Sequence, residues 1–446
     1  MRAVLGRLER AGADLARLYP GGSGGRQPVH TVYGGAHLFR ADTARKLGEL
    51  ARRALEEYAP DGASLARALD FAPALAERVH PRVANKLRRE PVEDFRIDFE
   101  DGYGNRPDAE EDGHAESAAR EVADGLAAGS LPPFLGIRIK PFSAELAGRS
   151  VRTLDRFLTA LCAATGGRLP GGFVVTLPKV MAPEQVAALA DLLDALEPGL
   201  GLAAGALRLE IMVETPQAIL DPTGAVPLRR LVDAARGRCA AAHFGTYDYT
   251  ALCEITAAHQ HMAHPACDFA KQMMQVALAG SGIWLSDGAT NLLPVAPHRA
   301  AGDGPPLGAA QLEANRVAIW GAWRLHAAHA RRSLEQGFYQ GWDLHPAQLP
   351  SRYATVYAFF LEGLDAASER LRNFVGKAAQ ATLVGEVFDD AATGQGLLNY
   401  FLRAVSCGAI DEAEAIERSG LTLAELESRS FLAILRGRAA GAAGDR

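Results

Sequence analysis

The sequence predicts an α/β fold, a (β/α)8 TIM barrel with helical insertions and a helical C-terminal extension. Three observations point there. Short runs rich in β-branched residues alternate with longer segments of helical period, and eight such runs can be counted. They spread over about 320 residues, which is room for a closed barrel with insertions. No GxGxxG or GxxxxGK[ST] follows an early strand, as an open doubly wound sheet would be expected to carry.

Residues 1–20 read as a short helix, and GGSGGRQP (21–28) reads as a flexible link. The strands follow as HTVYGG (30–35), DFRIDFEDG (94–102), FLGIRIKP (134–141) and FVVTLPKV (173–180). LRLEIMVET (207–215), AAAHFGTYD (240–248), IWLSDGA (283–289) and GWDLHP (341–346) complete the set. Between them lie amphipathic stretches such as RTLDRFLTALCAAT and PEQVAALADLLDALE, the latter opening with Pro183 and an acid in its first turn. Helical insertions fill about 40–90 and 309–336. The tail after 350 reads as helical throughout, and its apolar stripe needs a cover, the barrel wall or a second subunit. The final AAGAAGDR reads as disordered. The expected division is therefore 1–29 helix and link, 30–350 catalytic barrel, and 351–446 helical extension serving as lid or oligomer contact.

The bulk numbers exclude several classes. A net charge of −6 and the lack of a basic stripe argue against nucleic acid. No apolar run approaches a membrane span, and the amphipathic N-terminus lacks a signal-peptide core. Five scattered cysteines imply reduced thiols and a cytoplasmic protein. Lysine is confined to Lys46, Lys86, Lys140, Lys179, Lys271 and Lys377.

Catalytic groups in such a barrel sit at the C-terminal strand ends. There the sequence places Asp98, Glu100 and Asp101 on strand two, Arg138 and Lys140 on strand three, and Lys179 on strand four. Glu214, Asp248, Asp287 and His345 end strands five to eight, while the strand interiors read as apolar. A single such residue could be a solvated terminus. Converging carboxylates, however, repel unless a cation neutralises them, and a hard divalent ion with oxygen ligands is the natural answer. Arg138 beside them would stabilise an enolate or carboxylate oxygen. Cys253, His259, His261, His264 and Cys267 form a second cluster; the spacing matches no zinc-finger pattern, and a polar loop over the barrel mouth is the plainer reading.

RIDFEDG, GIRIKP, TLPKV, MVETPQAI, FGTYDYT, LSDGA and GWDLHPAQ carry a resemblance. In this order, across about 94–348, they look like the HpcH/HpaI aldolase and citrate lyase β-subunit family of the phosphoenolpyruvate/pyruvate barrel superfamily. The resemblance implies Mg2+ or Mn2+ held by Glu214 and Asp248. It implies Arg138 on the enolate oxygen, and Asp98, Glu100 and Asp101 ordering waters and the arginine. The backbone of Phe244, Gly245 and Thr246 would hold a substrate carboxylate, and His345 would close the rim. Tyr249 stands where the family has leucine, and the opening strand and the insertions are unusual. These departures mark a divergent branch and give no reason to assign coenzyme A.

The expected activity is a metal-dependent carbon–carbon lyase or aldolase acting on a small oxo or hydroxy acid through a metal-bound enolate. Lys179 joins the substrate-binding set. His37, in the loop after strand one, is a candidate base, as are the histidines at 259–264. The partners expected are a small carboxylate and further copies of the chain. Rival readings are a Schiff base on Lys140 or Lys179, a phosphoenolpyruvate/pyruvate-type phosphotransfer enzyme, and a non-catalytic scaffold.

Overall fold

A computed structural model of the protein describes residues 1–22, 25–300, 305–376, 382–384, 387–389 and 391–444. The expected link over 21–28 includes Ser23 and Gly24, which lie outside those residues. Eight parallel strands close into a barrel in sequence order. They are β1 (His30–Gly35), β2 (Asp94–Asp98), β3 (Phe134–Arg138), β4 (Val174–Leu177), β5 (Arg208–Val213), β6 (Cys239–Phe244), β7 (Trp284–Ala289) and β8 (Gln340–Asp343). The (β/α)8 expectation holds.

Three boundaries move. β6 stops at Phe244, so Asp248 lies not at a strand end but in the first turn of the helix Thr246–Leu252. β8 stops at Asp343 and leaves His345 to begin the short helix Pro346–Gln348. The tail is not helical throughout, because strands Thr382–Val384 and Val387–Asp389 pair antiparallel. The insertion at 40–90 is three helices, Thr43–Tyr58, Gly62–Leu69 and Pro73–Arg89, and the second is the single helix Ala309–Glu335. Leu349–Glu362 runs across residue 350 and packs against the helices of both insertions.

Alternation along the strands sorts the side chains. Outward-facing Phe95, Ile97, Leu135, Ile137, Val175, Leu209 and Ile211 are buried under the helical layer. The inward set is polar, which corrects the expectation of apolar strand interiors. Arg96 makes a two-pronged bond to Glu210, Nε to Oε1 and Nη2 to Oε2, each at 2.7 Å, and also pairs with Asp94. Thr31 donates to Asp94 at 2.8 Å and Thr176 to Glu210 at 2.5 Å. Each buried charge thus finds an opposite charge or a donor, which burial requires.

The tail's apolar stripe is covered within the chain: Phe360, Leu371, Phe374, Leu398, Phe401 and Phe431 are buried in one continuous core. The stripe therefore makes no demand for a second subunit. The last helix, Phe431–Gly444, includes most of the terminal stretch expected to be disordered, since its alanines continue a helix already anchored by Phe431. Among the described residues no helix is long and apolar enough to cross a membrane.

Candidate active site

Register brings the first site residues together. Asp98 lies opposite Gly35 on β1 and opposite Arg138 on β3. Both carboxylate oxygens of Asp98 accept from Arg138, from Nε at 2.7 Å and from Nη2 at 2.5 Å. The same oxygens accept the backbone N–H groups of Glu100 at 2.9 Å and Gly102 at 2.7 Å. Asp98 is therefore saturated, and its work is to fix the planar guanidinium. The free edge of Arg138, Nη1, lies 3.1 Å from Glu100. Its guanidinium carbon sits 4.8 Å above the ring of Tyr33, two residues before Gly35 on β1. Burial opposes the charge of Arg138, and Asp98 more than offsets it, holding the group well above its ordinary pKa.

Lys179 follows β4 in the left-handed region, at φ 52°. A non-glycine residue in that conformation carries backbone strain of order 1 kcal/mol, and such strain clusters at functional sites. Here it does two jobs. The backbone N–H of Lys179 donates to Glu214 Oε1 at 2.7 Å. Its ammonium reaches Glu100 at 2.5 Å, Asp101 at 3.2 Å and Asp248 at 3.3 Å. Burial works against this charge, but Glu214 and Glu100 hold it protonated above its usual range.

Glu214, the residue after β5, is buried. Burial first, then the charge of Asp248, pushes its carboxyl up to about 8. Burial likewise raises Glu100. Across the strand pair, Gly245 donates its N–H to Val213 at 3.1 Å and passes so close to Glu214 that a Cβ there would lie 2.4 Å from Oε2. Phe244 is buried beneath, and Thr246 is buried with a hydroxyl that has no hydrogen-bond partner among the described residues.

Five carboxylates (Asp98, Glu100, Asp101, Glu214 and Asp248) thus surround two cations, Arg138 and Lys179. Oxygen donors in excess of positive charge, around a carboxyl whose ionisation is suppressed by burial and by Asp248, fit a hard divalent ion. The fit is not a preformed cage. Among the described residues no three His, Cys, Asp or Glu side chains gather as a closed metal site. The reason is visible in the ion pairs, since the ammonium of Lys179 stands among the carboxylates.

Other expected residues fall outside this cluster. His37 lies in the turn Ala36–Leu38 after β1, with its ring 5.6 Å from Tyr103 and 6.0 Å from His114. Its Nδ1 is buried without a hydrogen-bond partner among the described residues, and burial, then Arg106, lowers its pKa so that it is neutral near pH 7. His345 accepts the N–H of Ala347 through Nδ1 at 3.2 Å, so it caps the turn after β8. Lys140 turns away to Glu111 at 2.9 Å. Asp287 faces outward, where Lys271 at 2.9 Å and Ser333 at 2.6 Å satisfy it. In the His/Cys stretch His264 caps the helix Pro265–Leu278 and Cys267 is buried, which accords with the polar-loop reading. The residues that the sequence reading passed over are Tyr33 and Met212, the latter with its sulfur 3.7 Å from Arg138. Their signal was parity: Tyr33 shares a face with Gly35, and Met212 with Glu214.

The family described as a domain of unknown function, DUF6986, matches residues 8–434. The chain belongs to that family. No curated protein matches the sequence. Among solved structures, a citrate lyase from Burkholderia xenovorans superposes with a TM-score of 0.53 at 21% identity, over 76% of this chain and 91% of that one. A lead(II) complex of malate synthase from Haloferax volcanii gives 0.46 at 14% identity, over 90% and 98% of the two chains. What is shared with the citrate lyase is the fold.

Proposed function

We propose that this protein is a divalent-metal-dependent carbon–carbon lyase or aldolase that acts on a small oxo or hydroxy acid through an enolate. The observation that carries the reading is the excess of carboxylate over cation around Glu214 at the C-terminal rim of the barrel. The HpcH/HpaI and citrate lyase β-subunit resemblance supports it, because five of its seven motifs, RIDFEDG, GIRIKP, TLPKV, MVETPQAI and FGTYDYT, carry the residues that converge here.

In this reading Glu214 and Asp248 hold Mg2+ or Mn2+, which supplies Lewis acidity towards a bound α-oxo acid. Asp98 holds Arg138 rigid, so that Nη1 can donate to an oxygen gaining negative charge. Glu100 and Asp101 set the water structure and balance Lys179. The backbone from Phe244 to Thr246 receives the substrate carboxylate, and the unpartnered hydroxyl of Thr246 is a further donor there. His37, neutral and with Nδ1 unpaired, is the candidate base.

The Schiff-base reading is disfavoured. A nucleophilic lysine needs a neutral amine, whereas the carboxylates around Lys179 hold it protonated. The test is a screen of pyruvate, oxaloacetate, glyoxylate and acyl thioesters with Mg2+ or Mn2+. Turnover of one of them should vanish with EDTA and in Glu214→Ala and Asp248→Ala proteins. Undiminished turnover in those variants would overturn the assignment.

A further inference from the structure

A large cleft lies at the opposite end of the barrel from the carboxylates. It is a cleft of about 1330 Å³ between the tail helices and the segments that lead into β1, β2, β7 and β8. Six basic side chains line it against three acidic ones, in a chain whose net charge is −6. Arg26, Arg82 and Lys86 are already paired with glutamates.

Arg403 is not. It lies on the helix Ala391–Ser406, and no carboxylate among the described residues pairs with it. Its Nη1 donates to Gln27 at 2.6 Å, and its guanidinium carbon stacks 4.6 Å over Tyr339. Gln27 is held in turn by Gln340 at 3.2 Å and the carbonyl of Leu285 at 3.1 Å. One edge of the guanidinium is thus fixed, and the other N–H groups find no protein acceptor among the described residues. Burial lowers the pKa of Arg403, and the positive charge of Arg429, which lines the same cleft, lowers it further. A half-buried guanidinium next to a second cation is costly unless an anion completes it. Holding it rigid in advance is what a binding site requires.

We propose that this cleft binds a small multivalent anion, phosphoryl or polycarboxylate, through Arg403 and Arg429. The site is distinct from the rim and does not depend on the activity proposed there. Calorimetric titration of the full chain with pyrophosphate, and separately with citrate, tests it. The expected result is that at least one binds, and that Arg403→Gln weakens it by about tenfold or more, since a lost charged hydrogen bond is worth about 1.5–3 kcal/mol. Arg429→Ser, at an exposed helix end, should weaken it several-fold and serves if Arg403→Gln fails to fold. Arg138→Gln should leave the affinity unchanged. Full affinity in both cleft variants, loss in Arg138→Gln, or no heat from either anion at millimolar concentration would overturn the proposal.

Discussion

Replacing Gly245 by alanine separates the proposed metal site from the fold. The backbone there, at φ −102° and ψ 95°, suits any residue, so the substitution adds no torsional strain. What it adds is a methyl group 2.4 Å from Glu214 Oε2 and 2.5 Å from its Cβ. Comfortable carbon contacts begin near 3.5 Å, so the Glu214 side chain must retreat by about 1 Å. Because its Cβ is also in the way, rotating the carboxylate is not enough. A misplacement of about 1 Å at a reacting centre costs on the order of 10²-fold in rate, and disturbed ligand support costs about 10–100-fold in metal affinity. The global cost is smaller: overpacking takes about 1–3 kcal/mol, and in a chain this long each kcal/mol moves Tm by roughly 1 °C. The assay is Mn2+ titration by calorimetry, with Tm measured alongside. A Gly245→Ala protein that binds Mn2+ as the native one does would refute the placement of Glu214 in the metal site. Gly288→Ala is the companion, since its methyl would press on Thr246 Oγ1 at 2.3 Å and should spare Mn2+ affinity.

Two glutamates on the same face of the β5 segment should give opposite pH responses. Glu210 is lowered to about 2, because Arg96 more than offsets the effect of burial, so its contribution is complete above pH 4.5 and is lost as pH falls through about 2. Glu214, raised to about 8, binds its proton more tightly when folded, so metal-free protein should lose stability between pH 4.5 and 8, and saturating Mg2+ should flatten that slope; a Tm that rises over this range without metal contradicts the assignment. Arg138→Lys should lower kcat by roughly 10²-fold or more at little cost in Tm, since an ammonium cannot hold Asp98 with two prongs and still present a donor; native kcat would remove Arg138 from the chemistry. Asp287→Asn should cost about 3–5 kcal/mol by stranding buried Lys271, visible as a lower denaturation midpoint with Mn2+ affinity intact. Loss of Mn2+ binding there would place Asp287 in the site instead.

The fold was legible because the barrel repeats one signal eight times, a β-branched run followed by a helical period. Even the charged rim residues could be picked out, since Asp98, Arg138 and Glu214 end or follow their strands. Asp248 was misplaced by a helix turn: FGTYDYT offers no break, and only the structure shows that Thr246 already begins the helix. The polar barrel interior was missed because outward Phe95 and Ile97 dominate the hydropathy of β2, although Asp94, Arg96 and Asp98 share the other face. Asp287 and Lys140 looked like site residues by position. Their partners, Lys271 and Glu111, lie on the helices that precede their strands, Pro265–Leu278 and Asp108–Ala128, and strand-end position alone does not reveal that pairing. The paired strands Thr382–Val384 and Val387–Asp389 and the helix through Gly444 escaped notice because neither carries a strong periodic signal.

The central claim is that Glu214 and Asp248 hold a divalent cation at the barrel rim. Crystals soaked in Mn2+ and measured at its absorption edge test this most directly. The account predicts one strong anomalous peak within ligand distance, about 2.0–2.3 Å, of carboxylate oxygens from both residues, with the Lys179 ammonium displaced from Asp248. A map with no peak there, or with its peak at the His259–Cys267 stretch, would contradict it.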